Sequence, residues 1–233
     1  AAEYYERFWA DQLAPARHRM LALAGPKPGE RVLDVACGTG LVTLPAAAAV
    51  GLRGTVVGTD ISDEMVARLR EASAARGLTQ VTAERMEAEH LTLPDNSFDV
   101  VLCGLGLMYV PDPRKALEEM RRVVRPGGRV AVAVWGPRTN CGWAEIFPIV
   151  ERRVASEVCP LFFQLGQGDG LAITMEAAGL RDIIVERVTT TLEYPSAADA
   201  IGAAFAGGPV ALAYSRFDER TRDEAHEEYL QSI

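Results

Sequence analysis

Arg31-Val-Leu-Asp-Val-Ala-Cys-Gly-Thr-Gly40 is the stretch from which the chain is best read. Val32, Leu33 and Val35 form a short apolar run of the kind that makes a buried strand, and the small residues after it force a tight turn before a helix near Leu41. Gly38 and Gly40 lack a Cβ, so the backbone can bend sharply and a ligand can lie against it. The free amides of the helix start favour an anionic group. The stretch predicts a strand, a turn and a helix start that together bind something small and partly anionic.

Downstream the pattern repeats. Leu41 to Val50 is Ala-rich and helical, with Pro45 tolerated in its first turns, and Thr55 to Asp60 reads as a second buried strand ending in a carboxylate. Ser62 caps the next helix. Leu78 to Ala83 and Phe98 to Cys103 are the third and fourth strands. Asp112 and Pro113 open a helix whose apolar stripe is Ala116, Leu117, Met120, Val123 and Val124. Arg125-Pro-Gly-Gly128 stops that helix, and Arg129 to Trp135 is the fifth strand. Beyond it, Asn140 to Val154 and the residues ending at Ala178 read as helices, Asp182 to Val188 as a strand running on towards Tyr194, and 196–233 as helices broken at Gly207-Gly-Pro209.

Upstream, Tyr4 and Phe8, and Tyr5 and Trp9, lie four apart, so 3–24 is expected to be one amphipathic helix, either packed on the domain or closing over a pocket as an aromatic lid. Alternating strands and helices imply an α/β fold: a Rossmann-like, doubly wound, mostly parallel sheet with helices on both faces, an N-terminal helix and a C-terminal helical cap. The expected divisions are 1–29 for the N-terminal helix, 30–195 for the main domain and 196–233 for the C-terminal helices.

With 233 residues, 48% of them hydrophobic, the chain can bury one large core. A net charge of -8 argues against a dedicated nucleic-acid binder, since such affinity rests on Lys and Arg. Cys37, Cys103, Cys141 and Cys159 are scattered without metal-ligand or disulfide spacing, so no metal is expected. No apolar run reaches the roughly 18 residues of a spanning helix, which makes membrane insertion unexpected and a cytoplasmic location the default.

In an open parallel sheet a nucleotide lies at the carboxyl ends of the strands. Those ends hold Asp34 with Gly38 and Gly40, then Asp60, then Glu87, then Cys103 and Gly104. Asp60 stands twenty residues after Gly40, the spacing at which a carboxylate meets ribose hydroxyls. A dinucleotide turn would want a third glycine where Thr43 stands, and Asp34 would set a negative charge beside a pyrophosphate. That charge suits a cofactor bearing an ammonium and a sulfonium better. His18, His90 and His226 are the available general bases, and His18 is preferred because its helix precedes the site.

Val32 to Gly40, Gly58-Thr-Asp-Ile-Ser-Asp-Glu-Met65, Leu93-Pro-Asp-Asn-Ser-Phe-Asp99 and Val124-Arg-Pro-Gly-Gly128 together resemble the class I S-adenosylmethionine-dependent methyltransferases, and within them the ubiquinone/menaquinone-biosynthesis group. The resemblance implies that S-adenosylmethionine is bound and S-adenosylhomocysteine released. Asp34 would lie near the methionyl ammonium, and Ala36, Gly38 and Gly40 would form the turn beneath it, Ala36 standing where the family often has glycine. Asp60 would take the ribose hydroxyls, Ile61 and Met65 would flank the adenine, and Glu87 with Ala88 would read its edge. Cys103 and Gly104 would meet the methionyl end. Met86 and Glu87 depart from the family's usual glycine and aspartate.

The acceptor is expected to be a small molecule, hydrophobic or aromatic, walled by Tyr4, Tyr5, Trp9, Met108, Tyr109, Trp135, Trp143, Phe162 and Phe163. Arsenite-methylating relatives use several thiols, but the cysteines here read better as small buried hydrophobes. The rival functions are a methyltransferase-like domain without turnover and an NAD-dependent oxidoreductase. The family closes its sheet with an antiparallel strand near the C-terminus, and no such segment precedes Ile233, so the natural chain is expected to continue.

Overall fold

The computed structural model describes residues 8–154 and 162–233. Five strands, β1 (Arg31–Val35), β2 (Thr55–Asp60), β3 (Val81–Arg85), β4 (Phe98–Gly104) and β5 (Val124–Ala133), form one sheet in the order β3-β2-β1-β4-β5. Every neighbouring pair is parallel. The helices between them are α1 (Ala14–Ala24) before the sheet, α2 (Thr43–Val50), α3 (Asp63–Ala75) and α4 (Pro113–Val123). After β5 come α5 (Ile146–Glu151), α6 (Gly170–Ala177), α7 (Ala197–Ile201), α8 (Ala211–Tyr214) and α9 (Glu219–Ser232). This is the doubly wound architecture expected.

Strand alternation sorts the core into two layers. Val32, Val100 and Leu102 turn towards Met20, Ala24 and the alanines of α2, whereas Leu33, Val35, Val101 and Cys103 turn towards Leu117 and Met120 of α4. Asp34 shares the face of Val32, which aims its carboxylate at α2. Ser62 and Asp112 cap α3 and α4 as expected, each accepting from a backbone amide of the first turn. A third, largely aromatic core gathers Trp9, Trp143, Phe147, Phe162, Phe163, Phe205 and Tyr229 beneath the C-terminal helices.

Five expectations need correction. The N-terminal helix is not continuous, because Pro15 cannot donate a backbone hydrogen bond. The described part is a helical turn at Phe8 and Trp9, then turns, then α1 with Pro15 in its first turn. The third strand begins at Val81 rather than Leu78, since Leu78 instead closes the end of α3 by donating to the Ser73 carbonyl. Arg125 to Gly128 does end α4, but it belongs to β5 as an excursion in the register: Phe98 pairs with Val124 and Val100 with Arg129, with Gly127 at φ 75°. The helix expected over Asn140–Val154 shrinks to short 3-10 turns and α5.

The strand expected over Asp182–Val188 does not form. No described strand lies alongside to pair with it, and a lone strand leaves its backbone groups without partners. Side chains hold the segment in place instead: Arg19 pairs with Glu186, and Arg187 donates to the carbonyls of Gly166 and Gly168. Ile184 and Val185 stay exposed. Among the described residues no helix is long and apolar enough to cross a membrane.

Candidate active site

The strand order reverses between β1 and β4, so the crevice lies at the carboxyl ends of these two strands. The turn after β1 bends through Ala36 at φ 55°, Gly38 at 54° and Gly40 at 99°. The turn after β4 bends through Leu105 at 59°. Ala36 and Leu105 are two non-glycine residues held in the left-handed region, at a cost of about 1–2 kcal/mol each. Strain of this kind collects at functional sites. The two turns touch: a Cβ built on Gly106 would come within 2.4 Å of the Ala36 Cβ.

Two carboxylates organise the first turn. Asp34 is 1% exposed; its Oδ2 accepts from the Thr43 hydroxyl at 2.6 Å, while Oδ1 is buried without a partner. Burial pushes its carboxyl up to about 7, with the Asp60 charge adding to the rise against the Thr43 hydrogen bond. The Thr39 hydroxyl in the same turn is also buried and unpartnered. Asp60, half-buried at the end of β2, accepts from the Gly38 amide and the Ser62 amide at 2.9 Å each. A carboxylate has about four acceptor positions, so two remain. The α2 helix starts without a side-chain cap; the Leu44 amide donates to the Gly40 carbonyl, the Ala46 amide to the Val42 carbonyl, and Pro45 has no amide to offer.

The adenine-side candidates gather beyond Asp60. Ile61 is exposed and Met65 half-buried, and the Met86 amide donates to the Asp60 carbonyl at 3.0 Å, which fixes Glu87 and Ala88 beside β2. The Glu87 side chain is exposed and lies 3.8 Å from His90, whose other ring nitrogen is 2.7 Å from Lys115 Nζ. Cys103 is fully buried and Gly104 half-buried. The Gly104 backbone packs so closely on Val42 that an added Cβ would meet its Cγ2 at 2.7 Å.

The remaining candidates sort clearly. His18 lies on the exposed side of α1, while His226, on α9, is within 2.9 Å of the Tyr214 hydroxyl and is held below its ordinary pKa by burial. Burial raises the thiols of Cys37 and Cys103, the latter to about 12, so neither is a thiolate near neutrality. No group of three metal-ligating side chains gathers among the described residues.

Trp9, Trp135 and Trp143 meet at ring separations of 5.1–6.0 Å, and with Met108, Tyr109 and Phe162 they wall a small cavity covered by Gly207-Gly-Pro209. Phe163 packs behind them against Phe162 at 5.0 Å. Tyr4 and Tyr5 lie outside the described residues. The cavity encloses about 20 Å³, close to one water molecule. A larger one, about 310 Å³, sits between α3 and the amino half of β3, away from the strand ends, and among the described residues Arg70 is its one charged lining residue.

Sequence reading missed two contributors. Thr43 counted only as a missing glycine, yet its hydroxyl holds Asp34, nine residues away across the turn. Gly207 to Pro209 read as a helix break and proves to cover the aromatic cavity.

Residues 33–132 match a family described as a methyltransferase domain. Demethylmenaquinone methyltransferase from Bacillus cytotoxicus is 40% identical over 131 residues, which is 56% of this chain and 55% of that protein. The chain thus spans about half the length of the curated relatives it matches. Among solved structures, a SAM-dependent methyltransferase from Aquifex aeolicus superposes with a TM-score of 0.59 at 25% identity, covering 77% of this chain and 87% of that one. The cyclase SpnF shares the fold with a TM-score of 0.63 at 23% identity, covering 93% and 76%. Together these support the class I S-adenosylmethionine-dependent methyltransferase superfamily for this chain.

Proposed function

We propose that this chain binds S-adenosylmethionine over the β1 turn and transfers its methyl group to a small, apolar acceptor held in the aromatic cavity. The observation that carries this reading is the pair of carboxylates at the switch in strand order, one with a buried, unpartnered oxygen and the other with two acceptor positions left. The buried Asp34 oxygen and the Thr39 hydroxyl fit a ligand that brings a cationic ammonium, since polar groups shut away from water call for partners. Asp60 fits a ribose diol. Space above Gly38 is open, with no atom within 4 Å of where a Cβ would stand.

When bound, the sulfonium supplies an already electrophilic methyl group. The chain's own task is then orientation and exclusion of water, effects worth about 7–11 kcal/mol of barrier when geometry is well held. Ala36 against Gly106 joins the cofactor turn to the turn carrying Leu105 and Met108, and those residues line the aromatic cavity. The acceptor would therefore sit beside the methionyl end. Two relatives are named as demethylmenaquinone methyltransferases, and an apolar, aromatic acceptor is the corresponding reading of this chain's cavity. His18 would serve as base only if α1 shifted towards the turn.

A nicotinamide dinucleotide is disfavoured because Asp34 would face its pyrophosphate and the side chain of Thr43 is committed to Asp34. A second reading, cofactor binding without methyl transfer, draws on one finding: a cyclase shares this fold. Asp60→Ala is expected to weaken S-adenosylhomocysteine binding by about 1.5–3 kcal/mol, measured by calorimetry. Unchanged affinity would remove Asp60 from the site. A screen of methyl transfer from labelled cofactor into phenols, quinols, amines and thiols tests turnover, and no incorporation would favour the second reading.

A further inference from the structure

We propose that Lys115 and His90 orient the Glu87 carboxylate towards the amino group of an adenine, and so strengthen the cofactor site's preference for an amino-bearing purine over a keto-bearing one. This rests on the reading of Glu87 and Ala88 as the residues that meet the adenine edge. His90 and Lys115 belong to none of the four sequence motifs, and geometry alone links them to the site.

An ammonium has three hydrogens and no lone pair, so with Lys115 Nζ 2.7 Å from His90 Nε2 that ring nitrogen must accept. A neutral imidazole that accepts at one nitrogen carries its hydrogen on the other. The hydrogen is therefore on Nδ1, which faces the Glu87 carboxylate at 3.8 Å. That distance is an electrostatic contact rather than a hydrogen bond, so it orients the carboxylate and leaves its acceptor positions to a ligand.

The turn that carries both residues is itself tied down. The His90 amide donates to the Glu87 carbonyl at 3.0 Å, and the two residues form an antiparallel bridge, which puts their side chains on one face. The charged neighbours are committed elsewhere: Glu89 accepts from the Asp112 amide, and Glu119 of α4 accepts from the Leu91 amide and from Arg122, each at 2.8 Å. These contacts fasten the turn to α4 and its cap, and the buried Leu117 and Met120 anchor that helix. Lys115 thus reaches His90 from a fixed base.

An adenine edge presents an amino donor beside a ring-nitrogen acceptor, whereas hypoxanthine presents a carbonyl acceptor beside an N–H donor. A carboxylate held in place accepts from the first and repels the carbonyl of the second.

The test titrates S-adenosylhomocysteine and S-inosylhomocysteine into the full chain by calorimetry. Heteronuclear NMR of the ring nitrogens reads the His90 tautomer, which is tractable with 3 histidines in the chain. The unaltered chain is expected to bind the adenine compound at least about tenfold tighter, with His90 in its Nδ1–H form. Lys115→Met should move the hydrogen to Nε2 and cut the preference about threefold to fivefold, the reach of an exposed charged contact. His90→Asn keeps an N–H donor where Nδ1 stood and should retain the preference with or without Lys115, whereas His90→Leu should lose as much as Lys115→Met. A merely structural role would move both affinities together and leave their ratio unchanged. An Nε2–H ring in the unaltered chain, or a ratio that Lys115→Met does not alter, overturns the proposal while Glu87 keeps its place; the ring signal decides even where a variant folds poorly. Equal binding of the two compounds by the unaltered chain removes Glu87 from the adenine edge and the proposal with it, and binding of neither sinks the cofactor reading beneath both.

Discussion

Replacing Gly106 by alanine is expected to cost about 1–3 kcal/mol of folding stability and to weaken cofactor binding at least about tenfold. The added methyl would lie 2.4 Å from the Ala36 Cβ and 3.3 Å from Cys103 Sγ, with the Ala36 carbonyl at 3.6 Å. None of these is the far end of a flexible side chain. The turn after β4 must therefore move away from the turn after β1, and Ala36 carries the backbone that leads to Gly38. Ala36→Gly removes the opposing methyl and relaxes a φ of 55°. The double variant should recover most of the stability and affinity lost by Gly106→Ala, a coupling seen in a double-mutant cycle of denaturant melts and cofactor titrations. Additive effects would show that the two turns do not press on each other.

The second large effect is a pH dependence. Burial raises the folded-state Asp34 carboxyl to about 7, above the ordinary value near 3.9 expected for the unfolded chain. Below about pH 4 Asp34 is protonated in both states and carries no penalty. As the pH rises towards 7 the unfolded chain ionises first, so this residue's contribution to stability falls, and above 7 the loss is complete, at most about 4 kcal/mol. The side-chain amide introduced by Asp34→Asn does not titrate and can still accept from Thr43. The ligand-free variant should match the unaltered chain near pH 4 and exceed it by a few kcal/mol at pH 8, as read by chemical denaturation across that range. A difference that stays flat with pH would contradict a buried carboxylate with one oxygen left unpartnered.

The first stretch was legible because its signals are local. Three apolar residues and two glycines specify strand, turn and helix with no knowledge of the rest, and Asp60 follows from strand length. Asp182–Val188 was not legible in the same way, because a run of β-branched residues reports a preference for pairing and cannot report whether a partner strand exists. Aromatic spacing suggests one helix across 3–24, but it carries no information about the amide that Pro15 lacks. Thr43 shows a further limit: a hydrogen bond across a turn depends on the path of the backbone between its ends. The sequence marks Trp143 as a wall, but only packing shows that its N–H is buried without an acceptor while that of Trp9 reaches the Ala203 carbonyl.

The central claim is that the β1 turn holds S-adenosylmethionine, and calorimetric titration of the chain with S-adenosylmethionine, S-adenosylhomocysteine and NAD tests it most directly. Both sulfur cofactors should bind at one site per chain, and NAD at least about a hundredfold more weakly. NAD binding as tight as theirs, or no binding of either sulfur cofactor, would contradict it.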